Sequence, residues 1–280
     1  MRIIIFITSI FSLQVMAYLP IIPVKNYNKI FKKQEVQIYE PYELKKNETD
    51  AVVFFTGANS IIPGFVYGNF LNRLAETNLS VYVSINNDEV TEEITDYLTD
   101  NYKSVSVVSH STGAINALKT CNLNKNIKKC VLMDPVDNRF LDNFWSAQKK
   151  LQTKNLDSLL FLNAKLSYEW NLMPLSIPFI PAFDINKKDI DENACKIKII
   201  EAKEYGHSDI LDYLWANLMD STISKGNENR DSQNLNNYHT WNANIIKTYI
   251  NDLKIDNLKQ TIKNVVSSHS ELNTIKYKFK

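Results

Sequence analysis

Six short, mostly apolar runs, separated by helical patterns, constrain this chain more than any other feature. They are AVVFF (51–55), SVYVSI (80–85), KSVSVVS (103–109), KCVLMD (129–134), DSLLFLN (157–163) and KIKIIEA (196–202). Runs of this length, rich in β-branched residues and ending in polar or turn-forming residues, mark strands buried on both faces. Between them, Phe65, Phe70, Leu71 and Leu74 recur at helical spacing within 64–77, and Val90, Ile94, Tyr97 and Leu98 do so within 89–100. A further helix is expected over 112–120. Strands alternating with helices predict an α/β fold, with a mostly parallel central sheet and helices on both faces. QEVQIY (34–39) is expected to add an antiparallel edge strand.

With 280 residues, 44% of them hydrophobic, the chain can bury a sizeable core. Residues 35–253 read as the folded domain, and the lysine-rich 254–280 as a C-terminal helix or tail. Residues 1–17, MRIIIFITSIFSLQVMA, have the layout of a signal peptide: one Arg, an apolar stretch, and a small residue at its end. Residues 18–34 carry Lys25, Lys29, Lys32 and Lys33 without an acid and read as a basic leader or linker. Together these segments predict that the chain enters the secretory pathway, bound for secretion or for a plastid enclosed by extra membranes. A net charge of +1 with no basic stripe argues against a nucleic-acid partner. Cys121, Cys130 and Cys195 show no metal-ligand spacing, so no metal is expected. Asn47-Glu48-Thr49 and Asn78-Leu79-Ser80 fit the glycosylation pattern.

Two stretches break the strand–helix rhythm. Residues 164–183 hold Trp170, Met173, Leu175, Phe179 and Phe183 among Pro174, Pro178 and Pro181, and the prolines exclude a regular helix. Residues 221–237 are rich in Ser and Asn and read as a surface loop, with helix resuming near Tyr238 and running to about Leu253.

The chemistry-bearing stretch is SVVSHSTGAINAL (106–118), in which Ser111 sits where a strand gives way to small, helix-compatible residues. A tight strand–turn–helix needs small flanks, which Ser109, Gly113 and Ala114 provide, and it presents a nucleophile at the carboxyl edge of the sheet. The plain alternative is a serine that caps the following helix. A nucleophilic serine needs a base. His110 lies inside the turn, where such a residue points away from Ser111, and His239 and His269 lie in late helical segments. His207, in EYGHSDILDYL directly after the last strand-like run, returns to the same sheet edge. For the acid, Asp134 ends a strand in KCVLMDPVDNRF, Asp137 follows it, and Glu169 follows the next strand; spacing does not choose among them.

The combination of SHSTGA, DPVDN and EYGHSDILD resembles the chlorophyllase family of the α/β-hydrolase superfamily, over roughly 51–220. Tyr205, Gly206, His207, Asp209, Leu211 and Asp212 carry the most distinctive match. Departures are Ser109 for the family's Gly, Thr112 for its usual Arg and Ala114 for its second Gly. The resemblance implies an α/β-hydrolase fold with Ser111 as nucleophile, Asp134 as acid and His207 as base. It also implies cleavage of the phytyl ester of chlorophyll without a cofactor. The backbone N–H groups of Thr112 and of Ala58, in TGANS (56–60), are the expected oxyanion donors. Trp170, Met173 and Phe179 are expected to line an apolar cover for the substrate. The expected partner is therefore an apolar ester, chlorophyll or lipid, with contact to a membrane surface. A lipase or generic carboxylesterase is the second reading, and a non-catalytic α/β-hydrolase-like binding protein the third.

Overall fold

The computed structural model describes residues 22–137, 151–169, 171–172, 177–178, 185, 187–191, 195–220, 226–227, 229–252, 257–268 and 275–280. The signal peptide expected over 1–17, and Trp170, Met173 and Phe179, lie outside them. The strands are β1 (Val24–Phe31), β2 (Gln34–Pro41), β3 (Asp50–Phe55), β4 (Leu79–Ser84), β5 (Ser104–His110), β6 (Lys129–Met133), β7 (Ser158–Ala164), the short pair β8 (Asn171–Leu172) and β9 (Ile177–Pro178), β10 (Lys196–Ala202) and β11 (Tyr277–Phe279). All but β8 and β9 form one sheet in the order β1-β2-β4-β3-β5-β6-β7-β10-β11. From β4 to β10 every pairing is parallel, while β1, β2 and β11 join antiparallel. Neighbours of β3 lie on opposite sides of it, β4 on one and β5 on the other. This reversal of strand order opens a crevice at the carboxyl ends of β3 and β5, where ligands of open α/β sheets bind.

Helices α1 (Gly68–Glu76), α2 (Asp88–Asn101), α3 (Gly113–Leu123), α4 (Tyr213–Asp220), α5 (Ser232–Asn251) and α6 (Leu258–Ser268) cover the sheet. Alternation along β3 divides the core in two. Val52 and Phe54 pack with Phe70, Leu71 and Leu74 of α1 and Trp241, Ile245 and Ile246 of α5. Ala51, Val53 and Phe55 pack with Ile94 and Leu98 of α2 and Ala117 and Leu118 of α3. Strand β6 and helix α5 are tied by Lys129, whose Nζ donates to the carbonyls of Tyr249 and Ile250, each at 2.9 Å, where the last turn leaves them unpaired. The three cysteines are free thiols. Among the described residues no helix is long and apolar enough to cross a membrane.

Three expectations change. Residues 24–31, placed in a leader or linker, form β1, so β2 is antiparallel as expected but is not the edge. The lysines of β1 are compatible with an edge strand because their stems cover apolar surface while their charges stay solvated. Lys29 Nζ lies 3.6 Å from the Tyr97 ring centre, and Tyr27 donates to buried Glu40 on β2 at 2.7 Å. Second, α5 begins at Ser232, within the stretch read as a loop. The Asp231 carboxylate caps it by accepting from Asn234 N–H at 2.6 Å, and its Asn-rich first turns are polar because they face water. Third, the C-terminal segment takes the helical one of its two expected forms, with Leu258, Ile262 and Val266 of α6 buried at four-residue spacing, but it also adds an unexpected strand, β11, to the sheet. The whole is the expected α/β-hydrolase fold, a mostly parallel sheet between two helical layers.

Candidate active site

Strained backbone marks the site. Among the described residues eight non-glycine residues have positive φ, and five of them, Ala58, Asn59, Ser60, Ser111 and Asp134, follow β3, β5 and β6 at one sheet edge. Each such residue costs on the order of 1 kcal/mol or more and persists only where its surroundings hold it. Ser111, at φ 56°, is held by its own amide donating to Met133 O at 3.0 Å and by its carbonyl accepting from Val136 N–H at 3.1 Å. The sharp turn also needs Gly113, since a Cβ there would stand 2.5 Å from Thr56 O and 2.8 Å from Phe55 O. Helix α3 thereby presses its first turn against the end of β3.

That close approach brings the turn after β3 against the residue that follows Ser111. After β3, Ala58, Asn59 and Ser60 form a left-handed turn at φ 50°, 56° and 63°. Asn59 N–H donates to Thr112 Oγ1 at 2.8 Å, tying this turn to the residue after Ser111. Gly57 is close-packed as well: a Cβ there would stand 3.1 Å from Tyr67 Oη and 3.3 Å from Ile62 Cδ1.

Ser111 Oγ lies 2.9 Å from His207 Nε2, with both residues buried. The hydroxyl is thus bound to the imidazole rather than to an amide of α3, which removes the helix-cap reading. Burial pushes the His207 pKa well below its ordinary value, and the neighbouring His110 ring adds to the effect. His207 is carried on a short 3-10 turn after β10 (His207–Ile210). Buried Asp209 fixes that turn, accepting from Gly206 N–H at 2.7 Å, Asn227 N–H at 3.0 Å and Arg230 Nε at 2.6 Å. Arg230 also reaches Asp220 at 2.8 Å, with its side chain only 4% exposed. His239 Nε2 completes the support by donating to the Asp209 carbonyl at 2.9 Å.

Of the three candidate acids, Asp134 is the one placed among these rings. One ring nitrogen each of His110 and His207 and a carboxylate oxygen of Asp134 lie within 4.8 Å of one another. The Asp134 carboxylate is aimed by the end of β7 and the 3-10 turn after it (Lys165–Glu169), accepting from Ala164 N–H at 2.7 Å and Ser167 Oγ at 3.0 Å. Asp137 is buried outside this cluster, and the Glu169 side chain lies outside the described residues. Could the same three residues hold a metal? The one lone pair of His110 is already engaged. Its Nε2 faces the His207 carbonyl at 3.0 Å and must donate to it, while Nδ1 is engaged by Tyr67 Oη at 2.9 Å.

Sequence reasoning missed Tyr67, Ser167 and Arg230. Each lies far along the chain from the residue it supports, and a lone Tyr, Ser or Arg in a polar context carries no pattern. The His110 ring lies 4.5 Å, centre to centre, from that of His207.

The chain thus combines an α/β-hydrolase fold with a tight strand–turn–helix at Ser111, whose hydroxyl meets His207. No family model matches the chain, and no curated protein does. Among solved structures it is similar to an esterase from Pyrobaculum calidifontis in its monoclinic form, at TM-score 0.39 and 14% identity over 54% of this chain and 68% of the other. A hyperthermophilic esterase from the same archaeon aligns with the same score and identity, over 54% of this chain and 69% of its own.

Proposed function

We propose that this chain is a serine carboxylic-ester hydrolase. The observation that carries the reading is the buried 2.9 Å contact between Ser111 Oγ and His207 Nε2. His207 takes the hydroxyl proton as Ser111 Oγ attacks the ester carbonyl. The carbonyl π electrons move to oxygen, and the amides of Ala58 and Thr112 stabilise the oxyanion. On collapse the C–O bond to the alcohol breaks and His207 returns the proton to that alcohol. Water then repeats the sequence to release the acid and restore Ser111. Asp134 stabilises the imidazolium through both halves.

The substrate is an ester with a large apolar part. Exposed apolar side chains support this: Ile61 and Phe65 follow the oxyanion turn, and Tyr213, Leu214 and Leu218 lie on α4, which follows the His207 turn. Phe65 and Trp215 join the two segments, their ring centres 6.1 Å apart. The resemblance of the His207 segment to chlorophyllases favours the phytyl ester of chlorophyll, with chlorophyllide and phytol as products; acyl lipids are the second reading. The test has two arms. A fluorophosphonate should label the wild-type protein at Ser111 and not Ser111→Ala, whose turnover should fall by about 10⁴–10⁶. Wild-type protein that takes no label sinks the enzyme reading and leaves a binding protein. Incubation with chlorophyll in detergent and with p-nitrophenyl esters, scored for chlorophyllide and nitrophenol, separates the two substrate classes.

A further inference from the structure

Tyr67 and His110 take no part in the acyl chemistry, yet both are buried beside it and joined to it. Chemistry fixes the direction of their hydrogen bonds. The His207 carbonyl can only accept, so His110 Nε2 carries a hydrogen and donates across 3.0 Å. Burial lowers the His110 pKa to about 4, so at neutral pH its Nδ1 is a bare lone pair. That lone pair accepts from the Tyr67 hydroxyl at 2.9 Å. The same hydroxyl oxygen accepts from Gly57 N–H at 3.0 Å. One unbroken chain therefore runs from the oxyanion turn, through a phenol and an imidazole, to the backbone of the base. Its three links join residues 10, 43 and 97 positions apart in sequence.

We propose that Tyr67 and His110 are positioning residues that lock the oxyanion turn and the base-bearing turn to each other, so that the amides and the imidazole meet the reacting ester in one fixed geometry. This rests on Ser111 being the nucleophile. Without the relay, Gly57 N–H would be unpaired in a buried place and the turn at 58–60, already strained, would lose its anchor. The His207 ring would lose the backbone tether on which its aim depends, and a displacement of about 1 Å costs on the order of 10²-fold in rate. The relay also needs His110 neutral, because a cationic ring 4.5 Å from His207 would oppose the imidazolium formed on proton transfer. The other titratable groups around the two rings are Asp134 after β6, Tyr238 on α5, and Asp209 on the base's own turn, which is paired with Arg230.

The test uses full-length protein and the variants Tyr67→Phe, His110→Gln and His110→Leu. The measurements are the rate of fluorophosphonate labelling at Ser111, and kcat and KM for p-nitrophenyl butyrate, each per folded molecule by thermal melt. Tyr67→Phe should lower labelling and kcat by about 10- to 100-fold with KM changed by less than about threefold, the signature of interactions made in the transition state. His110→Gln, which keeps a donor for the His207 carbonyl, should retain more activity than His110→Leu. If Tyr67→Phe fails to fold, the comparison of the two His110 variants decides. Labelling of wild type and all folded variants at one rate overturns the relay alone, as does a Gln variant no better than Leu. Absence of label on wild-type protein instead removes the hydrolase reading on which the relay rests.

Discussion

At the scale of single residues, the acid is the assignment that distances separate best. Asp134 stands with the two imidazoles and is aimed by one donor at the end of β7 and one on the turn after it, whereas Asp137 is buried outside that cluster. Asp134→Asn is therefore expected to lower kcat by about 10³-fold or more, while Asp137→Asn and Glu169→Gln leave it within about tenfold. Steady-state kinetics on the three purified variants checks this, and near-normal turnover by Asp134→Asn would refute it. The base carries a second prediction. His207 works only when neutral, and its pKa in the folded protein lies well below 6.5. Activity should persist as the pH falls past 6.5 and be lost only at lower values. An acid limb of kcat/KM centred at or above 6.5 contradicts that picture. The serine and histidine were legible because each sits in a pattern tied to a strand end. The acid was not, because an Asp-Pro turn looks the same whether or not its carboxylate meets an imidazole.

At the scale of elements, the junction of β5 with α3 concentrates the constraint. Gly113 lets α3 touch the end of β3, and the backbone oxygens it meets, at 2.5 and 2.8 Å from an added Cβ, cannot yield as a flexible side chain would. Gly113→Ala should cost about 2–3 kcal/mol by overpacking. It should also lower the labelling rate of the molecules that remain folded, since Thr112 moves with the helix. Urea titration together with fluorophosphonate labelling tests both parts, and an unchanged midpoint would show that α3 does not bear on β3 as described. The buried strands were readable to within a residue or two because apolar runs with abrupt ends leave little freedom. Strand β1 escaped notice because its lysines and asparagines have the composition of a leader, and only the pairing with β2 reveals their alternation. The first turns of α5 escaped for the same reason: an Asn-rich helix face towards water looks like a loop.

At the scale of the whole molecule, buried imidazoles link stability to pH. His110 and His239 have pKa values lowered by burial from 6.5 to about 4, and that of His207 is likewise lowered well below 6.5. Once unfolded, these histidines take up protons near pH 6.5, while in the folded chain they do not. Their contribution is thus fully present above 6.5 and is lost as the pH falls towards 4, by about 1.4 kcal/mol per pH unit for each. Asp209 and Asp212, whose pKa values burial raises, oppose this at the acid end. Denaturant titrations between pH 7 and 5 should show the decline, and His239→Gln should make it shallower; a flat profile would mean that the imidazoles are charged or solvated. One further consequence belongs to β11, three residues long and lying along β10. Lys278 and Lys280 pair there with Glu201, whose carboxyl is otherwise enclosed. Clipping residues 275–280 would strip this cover, leaving a bare row of amides and carbonyls and an orphaned carboxylate on β10. Such a rim is a template on which stray chains crystallise into ribbons, so the truncated chain is expected to cloud and sediment even with its Ser111–His207 contact intact.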